Sequence, residues 1–367
     1  MPKTLLTGAT GFIGAHLARA LVERGDALRV TVRDGSDTSE IDHLDLEKVK
    51  CDVLDRRSVR RALKGVDKVF HAAGMTSVRP EDAQRLFEVN LGGVHTVLGE
   101  CLRADVGRVI LTSSAAALGP ARRGEAADEE QLFTAGHLGI PYVNSVHEGE
   151  SEAFRLAARG LSLVCVNPSV ALGPGDIHVT STRLVRSFLL GKVPAYADGG
   201  LNVVDVRDVA TGHLLADEHG RTGERYILGG RNFTFDRLFA DLGRLSGVDP
   251  PLKVPRTLAA GAASMLRIGP GRTTLSAQEV LAASQFWTYR STKAKRELGW
   301  KARPHEETLE STVAWYLERE HDRIVRSRRS QGLQYKLAGA AISVSEDALS
   351  TAGRVLRGLG LTERLRG

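Results

Sequence analysis

Thr7-Gly8-Ala9-Thr10-Gly11-Phe12-Ile13-Gly14 is the stretch on which the fold turns. An apolar pair, Leu5 and Leu6, precedes it, and Phe12, Ile13, Leu17, Leu21 and Val22 follow at helical spacing until Gly25, a natural C-cap. Residues 28–32 then branch and alternate like a second strand. Glycine triplets mean little in a chain with 39 Gly. Between a strand and a helix they mean more: the chain needs a tight turn, close approach of backbone and close helix packing there. Such a turn aims backbone N–H groups and the positive end of a helix dipole at an anion, most naturally a pyrophosphate. Gly8, Thr10, Gly11, Phe12, Ile13 and Gly14 are therefore expected to cradle a dinucleotide.

The chain has 367 residues, 42% of them hydrophobic, enough for one large or two modest domains with a substantial core. No apolar run approaches the ~18 residues of a spanning helix, and Met1-Pro2-Lys3 leads into a strand rather than a secretion signal, so a cytoplasmic location is expected. Cys51, Cys101 and Cys165 are odd in number and far apart, which encodes neither a disulfide framework nor a metal site. The net charge is +6, but residues 321–367 carry nine Arg or Lys against four Asp or Glu, leaving the body nearly neutral. That tail reads as a solvated helix face docked on the body or on a second subunit, in preference to a membrane contact; no nucleic-acid partner is expected.

Strand and helix alternate through the first half of the chain. Arg33 ends the second strand, where an acidic side chain would bind ribose hydroxyls and favour NAD; an arginine pairs a 2′-phosphate, so the cofactor expected is NAD or NADP with a lean to NADP. A third strand over 49–53 offers Asp52 to adenine, with Val53 beside it. A fourth over 68–71 ends in His71, read as structural, and runs into Ala72, Ala73 and Gly74, small enough for a cofactor to lie on backbone. One helix is expected over 82–103, and a fifth strand over 108–111 delivers Thr112, Ser113 and Ser114. Residues 119–141 are long and aperiodic enough to form a lid. A helix follows over 142–159, then a strand over 161–166 ending in Asn167 and Pro168. This pattern predicts an α/β fold, a Rossmann-type doubly wound parallel sheet over 1–172 with a returning segment near 201–230. A smaller α/β substrate domain over 173–320 and a basic helical extension over 321–367 complete the expectation. Within the substrate domain, helices are expected near 183–190, 235–245 and 306–318 and a strand over 201–209.

With the glycine stretch, Cys51-Asp52-Val53, Val69-Phe70-His71-Ala72-Ala73-Gly74, Thr112-Ser113-Ser114, Tyr142 and Asn167-Pro168 in this order, the chain resembles the extended short-chain dehydrogenase/reductases, NAD(P)-dependent epimerases, dehydratases and reductases. Val166-Asn167-Pro168-Ser169, Pro194-Ala195-Tyr196, Gly200-Leu201-Asn202-Val203, Gly212-His213-Leu214-Leu215 and residues 223–230 narrow the resemblance to the hopanoid-associated sugar epimerase and dihydroflavonol-reductase-like group. It covers residues 3–318. It implies catalysis by Ser114, orienting a substrate oxygen, and Tyr142 as acid/base. It also implies cofactor contacts from the glycines, Arg33, Asp52, Val53, Ala72, Ala73, Gly74, Tyr142, Asn167 and Pro168, a sugar or nucleotide-sugar substrate, and a homodimer.

The family keeps a lysine one helical turn after the tyrosine, where its charge favours tyrosinate. Here that position is Val146, and no lysine occurs between Lys68 and Lys192. Three readings stay open: a compensating cation from His147, Arg122 or Arg123; a slow enzyme; or a cofactor-binding sensor or scaffold. A literal YxxxK at Tyr289–Lys293 lies in the wrong segment and is set aside. Nucleotide-sugar enzymes of the family clamp diphosphate with arginines; Leu201 stands in one such place, leaving Arg183, Arg186 or Arg290 as substitutes. The sequence thus points first to an atypical epimerase or dehydratase working by transient hydride transfer, and second to an NADPH-dependent carbonyl reductase.

Overall fold

The structure, a computed structural model, describes residues 3–77, 79–193, 195–254 and 281–326. Pro194 and the tail beyond residue 326, with the helix expected there, lie outside the described residues.

Seven parallel strands form the main sheet in the order β10-β6-β5-β4-β1-β2-β3. These are β1 (Lys3–Thr7), β2 (Ala27–Val32), β3 (Glu47–Lys50), β4 (Lys68–His71), β5 (Arg108–Thr112), β6 (Leu163–Pro168) and β10 (Arg225–Leu228). A parallel sheet covered on both faces needs apolar side chains at consecutive positions. Leu5, Val69, Val109 and Cys165 join one core cluster, whereas their neighbours Leu6, Phe70, Ile110 and Val166 join the other. The first cluster packs against α2 (Arg56–Ala62), α4 (Gly93–Arg103) and α5 (Pro141–Ala157). The second packs against α1 (Phe12–Arg24) and α7 (Val206–His219). On α1, Leu17 and Leu21 are fully buried, each worth about 1.5–3 kcal/mol. Gly25 ends that helix at φ 91, its N–H bonding back to Leu21 and Val22.

A second sheet is built on β9 (Gly200–Asp205), which pairs with β7 (Val170–Leu172) and β13 (Phe286–Trp287) in parallel and with β11 (Arg231–Thr234) antiparallel. A two-stranded sheet, β8 (Ala195–Tyr196) with β12 (Leu252–Lys253), accompanies it. Three helices, α6 (Arg183–Leu189), α8 (Phe235–Ser246) and α10 (His305–Arg319), share its core, while α9 (Thr292–Leu298) packs on the main sheet. No helix among the described residues is long and apolar enough to cross a membrane.

Several local expectations need correction. The strand expected over 201–209 stops at Asp205, whose carboxylate accepts from the Arg207 N–H and caps α7. The expected helix over 82–103 is α3 (Ala83–Phe87), a π turn at Glu88–Gly92, then α4. The third strand ends at Lys50, so Asp52 lies beyond it and Val53 is buried in the core beside Gly93. The stretch 119–141, expected as a lid, is tied to later segments and to the end of the Ala115–Leu118 turn, and of it only Ile140 lines the Tyr142 cavity. Ala121 and Ala127 bridge to Phe286 and Tyr289, and Gln131 donates to the Leu118 carbonyl.

Candidate active site

The strand order reverses at β1, with β4 on one side and β2 on the other. In open α/β sheets ligands bind beyond the carboxyl ends of the strands at such a point. There Gly8 takes φ 77, and a Cβ on it would sit 2.6 Å from Ala72 and Ala73 backbone; a Cβ on Gly14 would lie 2.0 Å from the Gly8 carbonyl oxygen. Gly8 therefore serves the turn from beneath, while Gly11, Phe12, Ile13 and Gly14 face a cavity. The N-terminus of α1 carries no side-chain cap and no acidic residue in its first turn. Its amides are suited to a phosphate.

One cavity of ≈ 580 Å³ opens beside Thr10 and is lined by Arg33 to Asp37, Lys50, Cys51, Asp52 and His178. Asp34 pairs with Lys50 at 2.5 Å and Asp52 accepts from the Leu54 N–H, whereas Arg33 makes no ion pair among the described residues. On the other side of the glycine turn a cavity of ≈ 430 Å³ is lined by Ala72, Ala73, Gly74, Ser114, Tyr142 and Pro168 among others. A glycine cradle with uncapped amides between two such cavities fits a nicotinamide dinucleotide. Arg33 and Asp52 would serve its adenosine end and Tyr142 its nicotinamide end. Val53 and Asn167, both expected at the cofactor, are not on either wall. Asn167 is fully buried, donating to the Ser114 carbonyl and to Glu150, and so supports the serine loop from behind.

Ser114 follows β5 and caps the short 3-10 turn Ala115–Leu118 through the Ala116 N–H. Tyr142 is the second residue of α5, after Pro141. Burial raises its pKa, outweighing the Ser114 and Thr76 side chains, which act on its hydroxyl in the opposite direction. Tyr142, Val146, Gly149 and Glu150 line the cavity from one face of α5. Behind them Ser145 donates to the Tyr142 carbonyl at 2.9 Å and receives Asn90 Nδ2 at 3.0 Å. Asn90, on the π turn, also donates to the Met75 carbonyl and accepts from its N–H, tying the Thr76 loop to α5. Glu150 is 3% exposed and pairs with Arg225 at 3.0 Å.

The described walls of the Tyr142 cavity carry no positive charge. No Lys, Arg or His among the described residues lines this cavity. His147 stacks on Phe133 with ring centroids 3.7 Å apart and bonds to the Ala117 carbonyl. Arg122 is exposed and Arg123 pairs with Asp198 at 3.4 Å. Of the substitutes for a diphosphate clamp, Arg186 pairs with Glu320, Arg290 donates to the Ala126 carbonyl, and Arg183 lies off the cavity wall. Tyr289 does line the cavity, its hydroxyl donating to the Gly119 carbonyl, but Lys293 turns away to Glu224 and the Tyr226 ring.

Thr76, Asn90, Glu150 and His178 were not singled out by the sequence. Glu150 had a readable signal, two helical turns beyond Tyr142 on the same face, and Asn90 another, as a poor helix former inside a helix. For Thr76 and His178 the chain gives none.

A doubly wound sheet with a glycine cradle, and a serine and tyrosine converging beside it, define a nicotinamide-dependent enzyme fold of the extended short-chain dehydrogenase/reductase type. The chain belongs to the NAD dependent epimerase/dehydratase family, which matches residues 4–229. It is similar to sterol demethylase protein B of Methylococcus capsulatus, 35% identical over 324 residues that span 86% of this chain and 98% of that one. Cinnamoyl-CoA reductase 2 of Arabidopsis thaliana is 32% identical over 239 residues, 61% of this chain and 71% of the relative. Among solved structures, a nucleoside-diphosphate-sugar epimerase from Pseudomonas aeruginosa superposes with a TM-score of 0.74 at 28% identity, over 87% of this chain and 99% of that one.

Proposed function

We propose that the protein is an NADPH-dependent oxidoreductase that reduces a carbonyl group on an uncharged, predominantly apolar substrate. The observation that carries this reading is the lack of any basic side chain on the described walls of the Tyr142 cavity. It bears on direction and on substrate together.

On direction, an ordinary tyrosine titrates near pH ~10, so holding it as tyrosinate at pH 7 costs at least about 4 kcal/mol without a cation. Burial of Tyr142 moves it further the same way. A protonated tyrosine is a poor base for oxidising an alcohol and a serviceable acid for reducing a ketone or aldehyde. When bound, the reduced nicotinamide supplies the hydride that adds to the carbonyl carbon. Tyr142 gives its proton to the carbonyl oxygen, Ser114 orients that oxygen, and Thr76 and Ser114 hydrogen-bond the tyrosinate until solvent returns a proton. Epimerisation by transient oxidation asks the same tyrosine to begin as a base. On substrate, a diphosphate without a cationic clamp loses the charge-assisted bonds that repay its desolvation. Ile140, Val143, Val146, Ala282 and Trp287 give the cavity an apolar wall instead. A relative named sterol demethylase protein B supports the apolar substrate, and one named cinnamoyl-CoA reductase supports carbonyl reduction but not an uncharged substrate; the family description and the Pseudomonas neighbour favour the second reading, a nucleotide-sugar epimerase or dehydratase. Arg33, at the ribose end and without an ion pair among the described residues, supports NADP over NAD.

The test is NADPH oxidation followed at 340 nm with alicyclic ketones and aryl aldehydes, beside UDP-glucose incubated with NAD+ and analysed for epimer. Turnover of an apolar carbonyl that falls at least ~100-fold in Tyr142→Phe is expected. Epimerised sugar without net cofactor consumption would establish the second reading, and tight cofactor binding with no turnover would return the sensor.

A further inference from the structure

The loop between β7 and α6, residues 173–182, is held by hydrogen bonds of its own. Asp176 is fully buried and accepts from the backbone N–H and the hydroxyl of both Thr180 and Thr182. Within that frame Val179 sits at φ 52; the other described non-glycine residue with positive φ is Asp105. For a β-branched side chain the left-handed region is a true outlier, kept only where the surroundings impose it. What the imposed turn achieves is the placement of the preceding residue. His178 reaches the glycine turn, Nε2 lying 3.1 Å from the Thr10 carbonyl oxygen, and lines the adenosine-side cavity together with Arg33. A second tie, from His16 Nε2 to the Pro174 carbonyl at 3.0 Å, fixes the base of the same loop to α1.

We propose that His178 is a specificity residue for the cofactor, a latch whose imidazole, with Arg33, grips the 2′-phosphate of NADPH. The inference rests on the reading of this cavity as the adenosine site. The charged groups that share this cavity with His178 are Arg33, Asp34 and Asp37 from the β2–β3 loop, Lys50 at the end of β3 and Asp52 just beyond it. Lys50 pairs with Asp34, Asp52 accepts from the Leu54 N–H and Asp37 from the Ser39 N–H; among the described residues the Arg33 guanidinium and His178 Nδ1 have no hydrogen-bond or ion-pair partner, and these two are left to meet an added anion. A phosphate dianion between them draws a proton onto the ring, so the selectivity for NADPH over NADH rises as pH falls through the histidine range.

The experiment is calorimetric titration of the full-length protein with NADPH, NADH, adenosine 2′,5′-bisphosphate and AMP, at about pH 8 and about pH 6.5, for wild type, His178→Ala and His178→Gln. Glutamine keeps a donor for Thr10 and removes the titrating charge. Expected is a loss of ~10-fold or more for NADPH and the bisphosphate in His178→Ala, less than ~2-fold for NADH and AMP, and a flattened pH dependence in His178→Gln. Equal losses for phosphorylated and unphosphorylated ligands, or no loss for either, overturn the proposal while leaving the cofactor reading intact. A wild type that binds NADH as tightly as NADPH overturns the underlying reading, which an unchanged Arg33→Ala would corroborate.

Discussion

Placing a lysine at residue 146 tests the electrostatic argument most directly. Val146 lies one helical turn from Tyr142 on the cavity face of α5, so an ammonium there reaches to roughly 4 Å of the phenol oxygen. At an effective dielectric near ~20 a unit charge at that distance stabilises tyrosinate by about 4 kcal/mol, about 3 pKa units. Part of this is lost to Glu150 on the next turn, which already holds Arg225 at 3.0 Å and will share the new cation. A net fall of about 2 units remains, raising the tyrosinate fraction at neutrality by ~100-fold. The assay is the pH profile of alcohol oxidation with NADP+ in Val146→Lys, with tyrosinate absorbance as a readout independent of turnover and Val146→Met as a control for volume. Oxidation near neutral pH should rise by ~10- to 100-fold and reduction by much less, because reduction does not need the anion. If the profile and the absorbance titration both stay where they were, with cofactor bound and the fold intact, the missing cation is not what keeps Tyr142 protonated.

Other consequences follow from features already described. Arg33→Ala should weaken NADPH by ~10- to 100-fold, about 1.4–3 kcal/mol, and leave NADH nearly unchanged, which competitive binding measures. Gly14→Ala must displace the Gly8 carbonyl, 2.0 Å from the added Cβ, and should cost about 1–3 kcal/mol together with cofactor binding; Gly25→Ala, with nothing within 4 Å, should cost about 1 kcal/mol through its φ of 91 and spare binding. Thermal melts with and without cofactor separate the two. His71 and His213 are buried and neutral, burial pushing each pKa down to about 4. Their depressed folded-state values mean that stability is whole above pH ~6.5 and is lost as pH falls toward 4, by about 3 kcal/mol each. Urea unfolding at neutral and acid pH measures that loss, and a stability independent of pH across the window would refute it.

The glycine stretch, the alternation of elements and the positions of Ser114 and Tyr142 were legible because each depends on neighbours in sequence: a turn, a period, a spacing. What escaped depended on contacts between distant segments. Asn167 looked like a cofactor ligand at a strand end, but Glu150 and the Ser114 carbonyl, supplied by other elements, draw it into the core. His147 looked like a substitute cation until Phe133, from the 119–141 stretch, stacked on it. That stretch resembled a free lid because its anchors, Phe286 and Tyr289, come more than a hundred residues later. His178 owes its position to a strained turn that no propensity favours.

The order of β10 and β6 has a consequence for how the protein is made. Strand β6, fully buried and apolar but for Asn167, is covered along one edge by β10, yet the second sheet's β7 and β9 are synthesised between them. At about 5–20 residues per second, β6 waits on the order of several seconds as an unpaired edge beside the ribosome. An open apolar edge is a template for pairing with other chains. A truncation or pause before Leu228 therefore exposes nascent chains to aggregation, and soluble yield will register it before any measurement on the finished enzyme does.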